Sequence, residues 1–211
     1  MSNESRQQRR TAPALLLLAA ALLAAVACYA IPVAASQGPN PWEDGIVRFY
    51  DAAGLGGTVT TAAERWNESG ARVRLIEVFT EDDADVVVTV NDAKLRGACG
   101  GDCLGYTSSI GRPSSDDQVE VLLAGELTGD PRPLSVWVAA HEFGHVLGLH
   151  HRDGNACSLM SAHAFDTSCA PSLAASPPTP DQLACVPAPK DVEDAAALYG
   201  GRLVWDDTRC R

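Results

Sequence analysis

The segment from His141 to His151 limits the folds open to this chain more than any other feature. His141 and His145 are four residues apart, so a helix places both imidazoles on the same face, one turn apart, where both can reach one metal ion. Gly148 can adopt the left-handed conformation that ends a helix, and the returning chain then brings His151 to the same ion. Three neutral nitrogens and one open position are typical of a catalytic zinc site rather than a closed structural one.

The first 36 residues differ in kind from the rest of the chain. Three arginines within the first ten residues precede an uncharged stretch, Ala12 to Ser36, that is rich in Leu and Ala, and this pattern is typical of an export signal. The small residues Val33-Ala34-Ala35 favour a cleaved signal peptide. The stretch is also long enough to span a bilayer uncut, so an N-terminal membrane anchor stays open as the alternative.

The chain length suits one ordinary globular domain. We expect residues 1–36 to be the signal peptide or anchor, residues 37–44 a linker, and residues 45–211 the folded domain. The first 35 residues carry a net charge of +2, so the remainder of a chain with charge −11 stands at −13. Such an acidic surface argues against nucleic acid or anionic lipid as a partner, because both require clustered Lys and Arg.

The cysteines indicate disulfides. Seven cysteines, less Cys28 in the export segment, leave six, and an even number in an exported chain predicts disulfides rather than free thiols. A cysteine-ligated zinc site is the rival explanation, but the chain has no pair of CxxC knuckles. The connectivity is open, and local spacing favours three bonds: Cys99 with Cys103, Cys157 with Cys169, and Cys185 with Cys210.

Periodicity predicts a mixture of strands and helices. Short apolar runs bounded by turn residues predict strands at Gly45–Tyr50, Val73–Phe79, Ala84–Val90 and Gln118–Leu123, with an edge strand near Leu104–Thr107 inside a loop-rich stretch. Apolar stripes at helical spacing predict helices at Thr58–Asn67, at Leu134–Leu149, opened by Pro133 or Ser135, and at Lys190–Tyr199, ended by Gly200-Gly201. The stretch from His150 to Pro189 is expected to be loop.

The zinc motif carries a family resemblance. The segment His141 to His151 resembles the extended motif of the metzincin metallopeptidases, and Ser158-Leu159-Met160-Ser161 is similar to the Met-containing turn beneath their metal. Within that clan, Ala84–Val88 resembles the third strand of the matrixins, and Asp191–Gly200 resembles their C-terminal helix. The similarity covers about Gly45 to Gly200.

A second family shares part of this pattern. The stretch from Cys157 to Cys169 is similar to snapalysin, a small secreted neutral protease, although snapalysin has Asp at the position of His151. Some metzincins also have a tyrosine two residues after the turn methionine, and this chain has Ala162 there. Support of the transition state from that position is therefore not expected.

The resemblance implies an α+β fold, with a twisted mixed β-sheet packed on helices and the zinc motif on a central helix. It implies a substrate that lies antiparallel to an edge strand, as strand addition would. Met160 is expected to pack under the metal. His150 is expected to contact the surroundings of the site or solvent rather than the ion, and His163 either lines the substrate pocket or has no role.

These features together predict a secreted zinc endopeptidase and one catalytic zinc ion held by His141, His145 and His151. The zinc activates a water molecule, and Glu142 acts as the general base. The substrate is a peptide or protein, and the enzyme is expected to be a monomer. A structural Ca²⁺ ion stays open, with no ligands assigned. The alternative function is a secreted binding module that zinc stabilises without peptidase activity, and such a module would not need Glu142.

Overall fold

The structure, a computed structural model, describes residues 40–101, 103–129, 133–152, 158–162 and 187–204. Internal contacts divide the chain into residues 1–37 and residues 38–211, and every described residue belongs to the second part. Within these ranges no helix is both long and apolar enough to cross a membrane. Several predicted features lie outside the described residues, namely the export segment, His163, Cys157, Cys169, Cys185 and Cys210.

Five short strands form the sheet: β1 Ile46–Asp51, β2 Arg74–Glu77, β3 Val86–Val90, β4 Gly105–Thr107 and β5 Val119–Leu123. Their order across this mixed sheet is β2-β1-β3-β5-β4. β1 pairs in parallel with β2 and β3, β3 pairs in parallel with β5, and β4 runs antiparallel to β5 at the edge. Each strand lies within or beside a predicted one, and the α+β fold class is confirmed.

Two helices, α1 (Gly57–Glu68) and α3 (Pro133–Val146), pack against each other. The predicted apolar stripe of α1 is buried, and its Trp66 donates a hydrogen bond from Nε1 to the Ala140 carbonyl of α3 at 2.9 Å. Phe143 of α3 meets Phe49 of β1 with ring centroids 5.2 Å apart. The zinc motif is therefore on a helix that is fixed from two sides, by α1 and by the sheet.

The last helix, α4 (Pro189–Tyr199), begins with Pro at its first position and ends at Gly200, whose φ is +77°. The end at Gly200 matches the sequence prediction, whereas the start at Pro189 lies one residue before the predicted start, in the stretch expected to be loop. Tyr199 donates from its hydroxyl to the Leu147 carbonyl at 2.8 Å. This bond ties the end of α4 to the turn that follows the zinc-motif helix.

One helix, α2 (Asp92–Cys99), was not predicted from the sequence. It has eight residues and only Leu95 is buried, so it lacks the apolar stripe that identifies longer helices. The sequence signals for this helix are the capping residues at its two ends. The Asn91 side chain accepts a hydrogen bond from the Lys94 amide at 3.0 Å, and Gly100 ends the helix in the left-handed conformation.

The folded domain begins before Gly45, within the stretch expected to be linker. Trp42 is buried and donates from Nε1 to the Val146 carbonyl at the end of α3, at 2.7 Å. Asn40 forms a bridge with Gly111. These contacts hold the start of the domain against the C-terminal end of the zinc-motif helix.

Candidate active site

Helix α3 carries two histidines one turn apart. His141 and His145 are 7% and 8% exposed, because the helix is packed on both sides and only one edge opens into a cleft. The Nδ1 atom of His141 lies 2.6 Å from the Leu159 carbonyl, and that of His145 lies 2.8 Å from the Leu149 carbonyl. A carbonyl oxygen only accepts, so Nδ1 carries the proton on both rings, and each Nε2 offers a lone pair.

A glycine turn brings the third histidine to the same place. Gly148 has a φ of +93°, and its amide donates to the His145 carbonyl at 2.9 Å as the helix ends. Nε2 of His151 then lies 3.2 Å from Nε2 of His141 and 3.0 Å from Nε2 of His145. The structure thus brings together the three histidines that the motif predicted.

These donors fit a zinc ion. The ligand atoms of His141, His145 and His151 all lie within 4.8 Å of one another. Two nitrogens bound tetrahedrally at 2.0 to 2.1 Å would stand about 3.3 Å apart, close to the separations seen here. The three histidines could therefore hold one metal ion.

The buried histidines are kept neutral, as ligands must be. Burial and the neighbouring charge of His145 together lower the pKa of His141 to about 3, while the hydrogen bond to the Leu159 carbonyl opposes this shift. Burial likewise lowers the pKa of His145 to about 4, while the Leu149 carbonyl opposes this shift. Both rings therefore present a free Nε2 at neutral pH.

His150 does not join this group. It is exposed and lines the same cleft, but the metal-capable cluster of the described residues consists of the other three histidines. Cys99 and Cys103 also line this cleft, and they form the disulfide favoured by their spacing. This bond ties the end of α2 to Cys103, two residues before the edge strand begins at Gly105.

Glu142 is 4% exposed and faces the cleft beside the histidines. Burial raises its pKa to about 7, and a hydrogen bond from the Thr107 side chain opposes part of this rise. A carboxyl group with such a pKa can both accept and return a proton near neutral pH. The structure thus gives this residue the environment of a general base.

Two residues of the edge strand β4 contact Glu142, and sequence analysis assigned a role to neither. The Thr107 hydroxyl donates to Oε2 of Glu142 at 2.6 Å. Gly105 lies so close that a Cβ atom there would come within 2.4 Å of Oε1. The predicted edge strand was the signal available, but no pattern in the sequence relates it to a residue 35 positions away.

The turn that contains Met160 lies beneath the histidines, as the resemblance implied. Met160 is buried, and a Cβ atom at Gly144 would come within 2.3 Å of its Sδ. The turn is held by Asp191 of α4, which is fully buried. Its carboxylate accepts hydrogen bonds from the Ser158 hydroxyl and, at 2.7 Å, from the Leu159 amide.

Asp191 thereby acts on the metal site through the backbone. The Leu159 amide donates to Asp191, and the carbonyl of the same residue accepts from His141. Groups that fix the outer nitrogen of a metal-binding histidine set its orientation and basicity. Asp191 lies in the predicted C-terminal helix, but no pattern in the sequence indicated that it contributes to the site.

The site opens into a cleft of about 1030 Å³. Its lining includes Tyr106 of the edge strand and Ile110 after that strand, together with Trp137, Ser161 and Ala162. A cleft of this size can accept several residues of an extended chain and is at the upper end of ordinary ligand sites. Ala162, at the position where some metzincins have tyrosine, is among the residues that line this cleft.

The three histidines can hold one metal ion, and they lie beside a buried carboxylate with a raised pKa. This combination is typical of the metallopeptidases as a class. The family model described as Metallo-peptidase family M12B Reprolysin-like matches residues 47–152. This match spans β1 to the residue after His151 and covers half of the sequence. The chain belongs to this reprolysin-like family, while local motifs resemble the matrixins and snapalysin.

Two solved structures of myroilysin are similar to this chain. One, "Structure of myroilysin", has 19% identity and a TM-score of 0.36, over 53% of this chain and 52% of that one. The other, "Crystal structure of myroilysin", has 18% identity and a TM-score of 0.36, over 79% of this chain and 67% of that one. The match thus spans about half the length of the first. None of the curated proteins matches.

Proposed function

We propose that this protein is an exported zinc endopeptidase in which His141, His145 and His151 hold the metal and Glu142 is the general base. The observation that carries the proposal is the convergence of three Nε2 atoms beside a buried carboxylate in one open cleft. Zinc, when bound, supplies a Lewis acid that polarises the scissile carbonyl and makes water more acidic.

Glu142 moves the proton in this reaction. Its Oε2 is held by Thr107, which leaves Oε1 to accept a proton from the attacking water. The water oxygen forms a bond to the carbonyl carbon, and the C–N bond then breaks as Glu142 returns the proton to the leaving amine. Atoms and charges balance without a covalent enzyme intermediate.

The edge strand β4 supplies the binding surface for the peptide. It is the last strand of the sheet in the described part of the chain, and its residues line the cleft beside Glu142. An extended peptide that pairs antiparallel with β4 would pass its backbone across the three histidines. This geometry favours cleavage within a chain rather than at its ends.

Export is the further part of the proposal. The arginines followed by the uncharged stretch Ala12 to Ser36 support it. The disulfide between Cys99 and Cys103 also supports it, because such bonds persist in oxidising compartments. Mass spectrometry of the mature N-terminus separates secretion from anchoring, since cleavage after Ala35 releases the domain and an intact N-terminus retains it.

The activity is tested with Glu142→Gln. The variant should keep fold and zinc but lose kcat on a peptide substrate by at least about a hundredfold, because the amide cannot take the proton from water. Cleavage of a peptide library by the wild type identifies the substrate. Near-normal turnover by the variant would contradict the role of Glu142, and a wild type that cleaves no peptide would favour the binding-module alternative.

The zinc site is tested with a matched pair of histidine variants. His151→Ala should lose most bound zinc, because the His151 ring faces His141 and His145. His150→Ala should keep about one zinc ion per chain, because His150 lies outside this group of three. The measurement is elemental analysis after dialysis. Full zinc in the first variant and loss in the second would transfer the third-ligand role to His150.

A further inference from the structure

We propose that Thr107 is a positioning residue for the general base: its hydroxyl, on the edge strand that binds substrate, fixes the Glu142 carboxylate in the cleft. This inference rests on the proposed function, since it assigns the residue that orients Glu142 during peptide hydrolysis.

The contact is short and specific. Oγ1 of Thr107 lies 2.6 Å from Oε2 of Glu142 and 3.3 Å from its carbonyl oxygen. Charge-assisted O–H···O bonds have lengths near the first value, so the hydroxyl donates to the carboxylate. Glu142 has a flexible side chain, and this bond selects one arrangement in which Oε1 is left for the reacting water.

Gly105 leaves space for that arrangement. Side chains two residues apart on a strand point to the same face, so Gly105 and Thr107 both face Glu142. A Cβ atom at Gly105 would come within 2.4 Å of Oε1 and 2.8 Å of Cδ. One residue of the strand therefore makes room for the carboxylate, and the residue two positions on holds it.

The same two residues face the expected substrate with their backbone. Ser108 donates to the Glu120 carbonyl and Ala124 donates to the Leu104 carbonyl, both at 2.9 Å. In an antiparallel pair every second residue bonds to the partner strand, so the backbone groups of Gly105 and Thr107 point away from β5. The same short strand therefore positions both the bound peptide and the general base.

The consequence is a division of roles within one residue. The Thr107 backbone contributes to peptide binding, whereas its hydroxyl contributes to the chemical step through Glu142. Loss of the hydroxyl alone should therefore lower kcat and leave KM nearly unchanged. A purely structural role of Thr107 would lower stability without this separation of kcat from KM.

The experiment uses the full zinc-loaded protein and a peptide that the wild type cleaves. Thr107→Val keeps the branched shape of the side chain without the hydroxyl, and should lower kcat about tenfold or more with KM within about twofold. Thr107→Ser keeps the hydroxyl and should recover kcat to within about threefold of wild type. The matched control is Thr60→Val, which removes the 2.8 Å hydrogen bond from Thr60 of α1 to Glu77 of β2. Neither residue lines the cleft, so this variant should leave kcat unchanged.

A second readout needs neither metal nor activity. In zinc-free protein, thermal unfolding is compared for Thr107→Val, Glu142→Ala and the double variant. The two single changes in Tm should not add in the double variant, because either substitution removes the same bond. Strict additivity would overturn the contact.

The outcomes separate this inference from the proposed function. If Glu142→Gln is inactive and Thr107→Val has the kcat of wild type, the positioning role is overturned while the peptidase proposal stands. If Glu142→Gln is as active as wild type, the general base is wrongly assigned and both fail. A fall in kcat that Thr107→Ser restores supports the inference.

Discussion

At Gly144, within the zinc-motif helix, the absence of a side chain is required by a neighbour. A Cβ atom there would meet Sδ of the buried Met160 at 2.3 Å. We expect Gly144→Ala to destabilise the zinc-free protein by about 1–2 kcal/mol, because the overpacking cost exceeds the gain in helix propensity. The measurement is urea unfolding in the presence of a chelator.

Gly97 provides the control for this prediction. It also lies within a helix, but a Cβ atom there has no neighbour within 4 Å. Gly97→Ala should therefore stabilise the protein, by up to about 1 kcal/mol, through helix propensity alone. Equal effects of the two substitutions would mean that Met160 does not press on the zinc-motif helix.

At the scale of elements, α4 and the Met160 turn are joined by one buried carboxylate. Asp191 accepts hydrogen bonds from Ser158 and from the amides of Leu159 and Ala188. Asp191→Asn replaces one acceptor with a donor, and should cost about 2–3 kcal/mol of unfolding free energy. Zinc affinity should fall about 10- to 100-fold, because Leu159 then holds His141 less firmly.

The matched variant for this prediction is Glu193→Gln on the same helix. Glu193 is exposed and pairs with Lys190 at 3.1 Å, and such a surface pair contributes less than about 1 kcal/mol. Chelator competition and urea unfolding should both leave this variant near wild type. If the two variants lose zinc affinity equally, Asp191 does not act through the Met160 turn.

The elements that sequence patterns predict are those with enough buried residues to show a period. The helix Gly57–Glu68 was predicted nearly to its ends, because Val59, Ala62, Ala63 and Trp66 repeat at helical spacing and are all buried. Helix α2 was missed, because one buried residue, Leu95, defines no period. The ends of this helix are set by Asn91 and Gly100. Asn and Gly are also common in loops, so they do not identify a helix by themselves.

At the scale of the whole molecule, the metal site was predictable while its supports were not. His141, His145 and His151 lie within eleven residues, and helix geometry with one glycine turn fixes their relation. Thr107 and Asp191 contact the site from other elements. Thr107 is 35 residues from Glu142 along the sequence, and Asp191 is 32 residues from Leu159. Such contacts depend on how strands and helices pack, which a local pattern does not encode.

The buried ionisable groups of the site should make the stability of the zinc-free protein depend on pH in two opposite ways. The pKa values of His141 and His145 are lowered to about 3 and 4 by burial. Between these lowered pKa values and the ordinary pKa of 6.5, the unfolded chain binds protons at these histidines and the native state does not. The free energy of unfolding therefore falls as pH falls below about 6.5. The pKa of Glu142 is instead raised to about 7, so its native state holds a proton that the unfolded chain releases.

The contribution of Glu142 is therefore present below its unfolded pKa of about 4.5 and is lost as pH rises to about 7. Glu142→Gln removes this dependence and leaves that of the histidines. Relative to wild type, the zinc-free variant should gain stability between pH 5 and pH 7.5, and both proteins should lose stability below about pH 6. Urea unfolding of the two chelated proteins from pH 4.5 to 8 measures this. A stability difference that stays constant with pH would mean that Glu142 is not desolvated in the native cleft, whereas a difference that grows as pH rises would show that burial raises its pKa against the opposing hydrogen bond from Thr107.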